Sequence, residues 1–318
     1  MPTNSGWLLE QLHPDRGGFE MFGVCSAPAS GLVHLSCDAV VPFTWPEVWR
    51  ETSRIRSAGF PGPFIGAAMC RTSYGHLEIV VAGRSGALAH FWEAEPGGWR
   101  GPALLPGKAA GAPAFVQSSI GYPPGNFEVI VTRPGGGLSH FFRANDQGAN
   151  VQWQEGAQPS TTGIWLGVAL VFSTAGRLEV AGVRRNGNSA DLVALSRNDA
   201  GVWTQTAVAV AAGVSGRPAM AQTTYGGDFD LVVPLRDGGL RHYWRTAAGP
   251  WRPAANGADF GSGDVRFDDV TLLESSRGSL EAMARQIGGF RPYRRFRRLA
   301  PNVLWDGPAE GPLFTGDR

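Results

Sequence analysis

Four histidines share one local pattern, and the residues around them could bind a ligand. Each histidine lies two residues after a leucine, so both side chains share one face of a strand; they are His34, His90, His140 and His242. In three copies an aromatic residue follows two positions later on that face, namely Trp92, Phe142 or Trp244. Arg143 and Arg245 come next in two of them. A sugar offers apolar C–H faces and hydroxyls, so a shallow sugar site needs an aromatic ring with donors and acceptors around it. The candidate ligand-binding residues are therefore His90, Trp92, His140, Phe142, Arg143, His242, Trp244 and Arg245.

A structural role explains the same residues. A buried histidine nitrogen would bond to a neighbouring backbone carbonyl, and the aromatic rings would pack between sheets. The arginines would form salt bridges with acids on a neighbouring strand. Metal binding is not expected, because equivalent positions of separate repeats are too far apart to converge on one ion. From the residues alone, both interpretations stay open.

An acidic residue recurs at nearly constant intervals along the whole chain. It follows Phe or Leu at Glu20, Glu78, Glu128, Glu179, Asp230 and Glu281, at intervals of 58, 50, 51, 51 and 51 residues by subtraction. A fixed period of this length is typical of repeat architectures. If each hairpin folds about its turn, Glu128 faces Arg143, Asp230 faces Arg245, Glu179 lies near Arg197 and Glu281 near Arg295. We therefore expect these acids to form cross-strand ion pairs.

Each repeat contains the elements of four short strands. The segment Phe127–Arg143 alternates in polarity, reverses at Arg-Pro-Gly-Gly-Gly and alternates again, which predicts a β-hairpin. Four antiparallel strands repeated about every 51 residues predict an all-β fold, a six-bladed β-propeller of four-stranded antiparallel blades. The whole chain, 1–318, is expected to form one domain with approximate blades 1–56, 57–108, 109–160, 161–212, 213–260 and 261–318.

Tryptophans and the chain ends indicate how such a ring would be held together. One tryptophan follows each hairpin, as expected of a wedge between neighbouring blades: Trp45 or Trp49, then Trp99, Trp153, Trp203, Trp251 and Trp305. The N-terminal strand near Trp7 would be innermost in blade one, and the C-terminal tail outermost in blade six. Closure would then depend on packing and terminal contacts, with no strand exchanged between the first and last blades.

The composition and net charge of the chain argue against nucleic acid and membrane as partners. The 45 Gly and 23 Pro suit many tight turns, and a net charge of +1 gives no field that favours nucleic acid. No apolar run approaches the roughly 18 residues of a membrane span, and the N-terminus lacks the features of a signal peptide. We expect a cytoplasmic protein, or one exported without a recognisable signal peptide.

The three cysteines, Cys25, Cys37 and Cys70, lack metal-ligand spacing and are expected to be reduced thiols. Glycans or a small-molecule ligand are the expected partners, with no cofactor and no metal.

One local run of charge stands apart from this balance. Residues 289–298, Gly-Phe-Arg-Pro-Tyr-Arg-Arg-Phe-Arg-Arg, interleave arginines with aromatic residues. Such a run can bind a nucleic-acid backbone or an acidic glycan. Alternation would send its arginines to both faces of a strand, so we expect a solvated outer strand instead.

The repeated motifs resemble those of a known family. The copies Leu77-Glu78 with Leu88-Ala89-His90-Phe91-Trp92, and Phe229-Asp230 with Leu240-Arg241-His242-Tyr243-Trp244-Arg245, are similar to the blade pattern of the bacterial propeller lectins related to the Photorhabdus lectins. The resemblance spans essentially the whole chain and implies binding of fucosylated or methylated glycans at several sites. Those relatives typically have seven blades. This chain has six repeats, and the fourth and sixth lack the histidine and tryptophan.

A pocket on the propeller axis is the alternative. Aligning the ends of the first strands places Phe172 and four polar residues at matching positions, with Gln11 nearby; the polar residues are Arg71, Gln117, Gln222 and Glu274. A ring that differs from blade to blade suits one asymmetric pocket better than several equal sites. The alternative function is therefore a single-site enzyme of small-molecule biosynthesis. No catalytic residue is assigned, because no nucleophile, metal or phosphate motif accompanies the ring.

Overall fold

A computed structural model of the chain shows six four-stranded antiparallel sheets arranged as a six-bladed β-propeller, which confirms the predicted fold. The structure describes residues 3–10, 18–25, 31–38, 49–56, 59–61, 63–95, 98–121, 123–144, 152–224, 229–261, 263–288 and 293–311. No helix occurs among them. The described residues accordingly include no helix long and apolar enough to cross a membrane.

The strands follow the chain blade by blade, from the axis outward. A short strand β1 (Thr3–Asn4) comes first. Blade one contains β2 (Leu8–Glu10), β3 (Gly18–Cys25), β4 (Gly31–Asp38) and β5 (Arg50–Arg56). Blade two contains β6 (Phe64–Arg71), β7 (Leu77–Gly83), β8 (Leu88–Glu95) and β9 (Gly98–Leu104). Blade three contains β10 (Ala114–Gln117), β11 (Phe127–Thr132), β12 (Leu138–Arg143) and β13 (Gln154–Glu155).

The second half of the ring repeats this order. Blade four contains β14 (Trp165–Phe172), β15 (Leu178–Asn186), β16 (Ser189–Arg197) and β17 (Trp203–Ala212). Blade five contains β18 (Ala219–Gln222), β19 (Phe229–Pro234), β20 (Leu240–Arg245) and β21 (Arg252–Pro253), and β22 (Asp259–Phe260) also pairs with β20. Blade six contains β23 (Phe267–Glu274), β24 (Leu280–Gln286), β25 (Tyr293–Arg298) and β26 (Asp306–Glu310).

Glycine fixes the turn of the central hairpin. The Arg133 N–H donates to the Gly137 carbonyl, and the Gly136 N–H donates back to the Arg133 carbonyl. Gly136 and Gly137 have φ of 93° and 83°, a region that favours glycine. A Cβ on Gly137 would also lie 2.6 Å from the Ser160 carbonyl oxygen. The glycine run therefore sets both the reversal and the close approach of the next link.

In the described ranges the hydrophobic core forms six clusters, and each lies between two neighbouring blades. Each cluster also contains or contacts one of the repeated tryptophans, which are Trp99, Trp153, Trp203, Trp251, Trp305 and Trp49. The wedge prediction is therefore confirmed. Of the two candidates in blade one, Trp49 packs between blades six and one, while Trp45 lies outside the described residues. Cys37 and Cys70 are buried and form no disulfide within the described residues; the side chain of Cys25 is outside the described part.

The ring closes as the chain ends predict. The strand β2 is the first strand of blade one, and β26 is the last strand of blade six. Trp7 and Leu8 pack with Leu273, Met283 and Tyr293 across the closing interface. Blades one and six are also joined by Glu10, whose carboxylate accepts hydrogen bonds from the Ser276 N–H and Oγ, both at 2.7 Å.

The N-terminal segment adds a contact that the sequence did not predict. Strand β1 pairs with β14 of blade four, and the Ser5 N–H donates to the Leu170 carbonyl at 2.8 Å. One residue on, the Gly6 carbonyl accepts from the Met69 N–H of blade two at 2.7 Å. The segment therefore crosses the axis between inner strands of two blades before it enters blade one.

Arg217 joins several blades at another level of the axis. Its guanidinium donates to the carbonyl oxygens of Val168, Ala67 and Pro113 at 3.2, 3.3 and 2.6 Å. These acceptors belong to blade four, blade two and the beginning of blade three. Arg217 also lies 3.7 Å from an oxygen of Asp269 in blade six. Because it is 5% exposed, these bonds replace water that is absent at the axis.

We predict that Arg217→Met lowers the free energy of unfolding by about 3 kcal/mol or more, because buried carbonyls and a carboxylate would lose their donor. Urea denaturation measures the change. The matched control is Arg84→Met, which removes an exposed arginine and should stay within about 0.5 kcal/mol of the wild type. Equal stability of the two variants would contradict a structural role for Arg217.

Candidate functional site

In three blades the repeated histidine binds the repeated acid of the same hairpin. Nε2 of His90 lies 2.6 Å from a carboxylate oxygen of Glu78, and the distance for His140 and Glu128 is also 2.6 Å. For His242 and Asp230 it is 2.7 Å. Acid and histidine occupy facing strands, two residues out of direct register, so their side chains share one face. The expected bond from these histidine rings to a backbone carbonyl is thus wrong: the partner is a carboxylate.

An arginine from the next blade completes two of these groups. Nη1 of Arg143 lies 3.3 Å from Nδ1 of His90, and Nη1 of Arg298 lies 2.7 Å from Nδ1 of His242. An arginine only donates, so Nδ1 must accept and each imidazole is neutral. Its proton is then on Nε2 and is donated to the carboxylate. The pKa of His90 is correspondingly lowered, chiefly by burial, with Arg143 adding to the effect and Glu78 opposing it.

The arginines do not face the acids that the hairpin folding predicted. Glu128 lies opposite Phe142, and Arg143 lies opposite Phe127, one residue out of the expected register. Asp230 likewise lies opposite Trp244, and Arg245 lies opposite Phe229. A shift of one residue moves a side chain to the other face of the sheet. Arg143 and Arg245 therefore point toward the preceding blade and contact its buried polar groups.

In two blades the repeated acid is paired with an arginine of the next blade, although blade four lacks the histidine and blade one keeps it as His34. In blade four Glu179 faces Ser196, not Arg197 as expected, and the cation is Arg245 of blade five at 3.2 Å. In blade one Glu20 pairs with Arg71 of blade two at 2.5 Å. Burial raises the pKa of both carboxyls, and the arginine opposes that rise in each case. In both blades the acid therefore lies in the interface between neighbouring blades and is paired there with an arginine.

Blade six uses its own arginines. Glu281 is bound by Arg295 at 3.0 Å, as predicted, and by Arg297 at 2.7 Å. Arg295, Arg297 and Arg298 are 1%, 4% and 2% exposed, so the expectation of a solvated outer strand is wrong. Strand β25 is the third of its blade, and its arginines fill the positions that histidine and aromatic residues occupy elsewhere. Residues 289–292 of the run lie outside the described residues.

A cavity opens beside the histidine group between blades five and six. It has a volume of about 140 Å³ and is lined by Asp230, His242, Trp244, Ala254, Ala255, Arg298, Pro301 and Asn302. Trp244 is half-buried, whereas Ala255, Pro301 and Asn302 are exposed. The lining of the crevice therefore provides the indole of Trp244, the exposed amide of Asn302 and the charged side chains of Asp230 and Arg298. Such a set can hold a small polar molecule that has an apolar face.

The other predicted ligand residues are divided among several interfaces. His90 and Trp92 lie in blade two, with Arg143 of blade three against them. His140 and Phe142 lie in blade three, where Trp203 of blade four packs on the histidine. Trp92 and Phe142 are half-buried. Arg245 is separated from His242 and Trp244, because it stacks over Phe229 and Trp251 on the side toward blade four.

The predicted axial ring joins neighbouring blades. The carbonyl oxygen of the Gln117 amide accepts from the Ser73 N–H, and that of Gln222 accepts from the Thr174 N–H, at 2.8 and 2.7 Å. Glu274 accepts from the Thr224 N–H at 2.8 Å. Arg71 donates to Glu20 and to the Gly75 carbonyl. In blade one the equivalent contact is made by Glu10, while Gln11 lies outside the described residues.

Sequence reasoning missed Arg298, which completes the crevice between blades five and six. It occupies the same strand position as Arg143 and Arg245, three residues after the histidine position. That equivalence was readable from the repeat, but blade six lacks the histidine that marks the register. No group of three or more His, Cys, Asp or Glu side chains in the described ranges is arranged to hold a metal ion.

Comparison with solved structures supports the fold. A mutant of the Aleuria aurantia lectin in complex with alpha-methyl-L-fucoside has a TM-score of 0.61 at 14% identity, covering 96% of this chain and 93% of that one. A mutant of AofleA from Arthrobotrys oligospora gives 0.55 at 10%, covering 96% and 88%. A mutant NanB sialidase from Streptococcus pneumoniae gives 0.56 at 8%, covering 95% and 67%. The sequence matches no protein-family model and no curated protein.

We predict that Glu128 and His140 are strongly coupled. Each is 1% exposed, so Glu128→Leu or His140→Leu alone leaves a buried polar partner and should cost about 1–3 kcal/mol or more. The double variant should cost less than the sum by at least about 1 kcal/mol, because both polar groups are then removed together. A urea-denaturation cycle measures this coupling. Additive effects of the two substitutions would contradict the pair.

His34 should make stability depend on pH. Burial, assisted by the charge of Arg71, lowers its pKa to about 4, whereas the unfolded value is about 6.5. The unfolded chain therefore binds the proton first as pH falls below about 6.5, and stability is lost. Between about pH 7.5 and pH 5 the wild type should lose about 2 kcal/mol more than His34→Gln. Urea denaturation at the two pH values measures each loss. If the wild type and His34→Gln lost the same free energy of unfolding, the result would contradict this assignment.

Proposed function

We propose that this protein is a carbohydrate-binding, lectin-like β-propeller whose glycan sites are the crevices between blades. The observation that carries the proposal is the half-buried Trp244 beside the cavity of about 140 Å³ between blades five and six. The indole can pack against the C–H face of a sugar ring. The exposed Asn302 amide offers both a donor and an acceptor to hydroxyls.

The rigidity of the crevice supports the proposal. Arg298 donates to the carbonyls of Val303 and Asn256 as well as to His242, so loop and strand are fixed to each other. His242 in turn is fixed by Asp230. A preformed wall costs little ordering when a ligand binds. Blades two and three carry related groups around Trp92 and Phe142, so we propose further, weaker sites there that act together with the first.

We further propose that the ligands are fucosylated or methylated glycans. The repeated Leu-x-His-aromatic-aromatic motif resembles that of the Photorhabdus-type lectins. The Aleuria aurantia lectin, whose fold is similar, is described in complex with alpha-methyl-L-fucoside and with Fucalpha1-6GlcNAc. A deoxy or methylated position gives a sugar an apolar edge, which suits a crevice lined by an aromatic ring and by two alanines.

We prefer the binding function to the enzyme alternative because the polar residues of the inner ring are bonded to backbone groups of neighbouring blades. Gln117, Gln222 and Glu274 each bond to a backbone N–H in the preceding blade. These bonds give the ring a role in joining blades. The half-buried aromatic residues Trp92, Phe142 and Trp244 gain no comparable explanation from the fold, since the wedge positions are filled by other tryptophans.

We predict that Trp244→Ala weakens binding to a glycan array of fucosylated and methylated sugars by about tenfold or more, because the aromatic platform is lost. The melting temperature should change little, since the ring is only half-buried. Two matched aromatic controls separate the effects. Tyr74→Ala, at an exposed position in the turn between β6 and β7, should change neither quantity, and Trp305→Ala, at a wedge, should lower the melting temperature.

A wild-type protein that is negative for every sugar on the array at high concentration would overturn the proposal. The proposal would also fail if Trp244→Ala lowered the melting temperature as much as Trp305→Ala and left binding intact. In that case the indole at position 244 would be a packing residue.

A further inference from the structure

A second cavity lies on the propeller axis, away from the crevices between blades. Its volume is about 260 Å³, and its walls come from the beginnings of the inner strands of blades two, four and six, from the links before blades three and five, and from Arg285 near the end of β24. A liquid water occupies roughly 30 Å³, so the space holds about eight or nine waters or one small organic molecule. A smaller space of about 20 Å³ shares Asp269 and Arg285 with it.

The cavity is closed toward the middle of the propeller. Arg217 lines it and bonds to the carbonyls of Ala67 and Val168. The N-terminal segment bonds two residues further along the same inner strands, at Met69 and Leu170. Two layers therefore block the axis beyond the cavity, which makes this end a blind pocket and not an open channel.

Asp269 has an unused acceptor in this pocket. The residue is 5% exposed and lines both spaces. One carboxylate oxygen lies near Arg217, but Oδ1 has no hydrogen-bond partner within the described part of the chain. A buried carboxylate oxygen without a partner is costly, because it has lost water and gained nothing. A ligand that donates a hydrogen bond would satisfy it.

The charges around Asp269 restrict the class of ligand. Arg217 and Arg285 balance Asp268 and Asp269, so the lining of the pocket carries no net charge. Arg285 donates its Nε and Nη2 to Asp268 at 2.8 and 3.1 Å. A cation would meet two arginines and an anion would meet two carboxylates. A neutral molecule with several hydroxyls can donate to Asp269 and accept from a guanidinium without either repulsion.

We infer that the axial pocket binds one small neutral polyol per chain, held by a hydroxyl that donates to Oδ1 of Asp269. This site does not depend on the proposed glycan crevices. It uses neither Trp244 nor the histidine groups. Because the pocket lies on the propeller axis, one ligand binds per chain.

Isothermal titration with myo-inositol and with glycerol, together with a crystal soaked in myo-inositol, tests the inference. One equivalent should bind, with a hydroxyl within hydrogen-bond distance of Asp269. Asp269→Asn should weaken binding about tenfold or more, because a charged acceptor is lost. Leu166→Trp should abolish binding by filling the pocket, and Leu166 is 38% exposed, so this variant should fold.

Controls make each outcome decisive. Leu104→Trp, at a 60% exposed site on an outer strand, should bind the polyol as the wild type does. Trp244→Ala should also leave polyol binding unchanged, which separates this site from the glycan crevice. Tetramethylammonium and inorganic phosphate should not bind. Water alone in the soaked pocket, binding that survives Leu166→Trp, or tighter binding of either ion would each overturn the inference.

Discussion

A carboxylate on the second strand of every blade, buried in five of them and half-buried in blade one, is the constraint on which the interfaces between blades depend. Five of the six repeated acids are less than one-tenth exposed, and a buried charge is stable only when it is paired and hydrogen-bonded. The acid therefore dictates what must lie on the third strand beside it or on the blade that follows. Histidine is one solution. An arginine is the other.

The choice of partner explains why the blades have diverged without losing the fold. In blades two and five, where histidine binds the acid, the arginine of the next blade donates to the imidazole, as Arg298 does to His242. Where histidine is replaced by Ala194, the arginine of the next blade reaches the acid itself, as Arg245 reaches Glu179. In blade six Arg295 occupies the histidine position and binds Glu281 directly. One arginine position thus compensates for changes in the preceding blade.

The same arrangement creates the crevices. Where an arginine crosses to the preceding blade, as Arg143, Arg245 and Arg298 do, the polar group contains residues from two blades. In blades two and five a half-buried tryptophan, Trp92 or Trp244, lies beside that group. At the interface of blades five and six this gives a cavity with Trp244 on its wall. At the axis, buried backbone groups also need hydrogen-bond partners. Arg217 and the N-terminal segment provide them. Their positions leave the blind pocket at one end.

The sequence by itself determined the architecture, because a period of about 51 residues with four strand patterns has few solutions other than a ring of blades. It also identified the wedge tryptophans and the blades that keep His90, His140 and His242. It could not determine the partners of the acids. The turn with Gly136 and Gly137 sets a register one residue away from the simplest folding, and that shift turns Arg143 away from Glu128. The pairing of Arg298 with His242 joins residues 56 positions apart, and only the packing of one blade on the next brings them together.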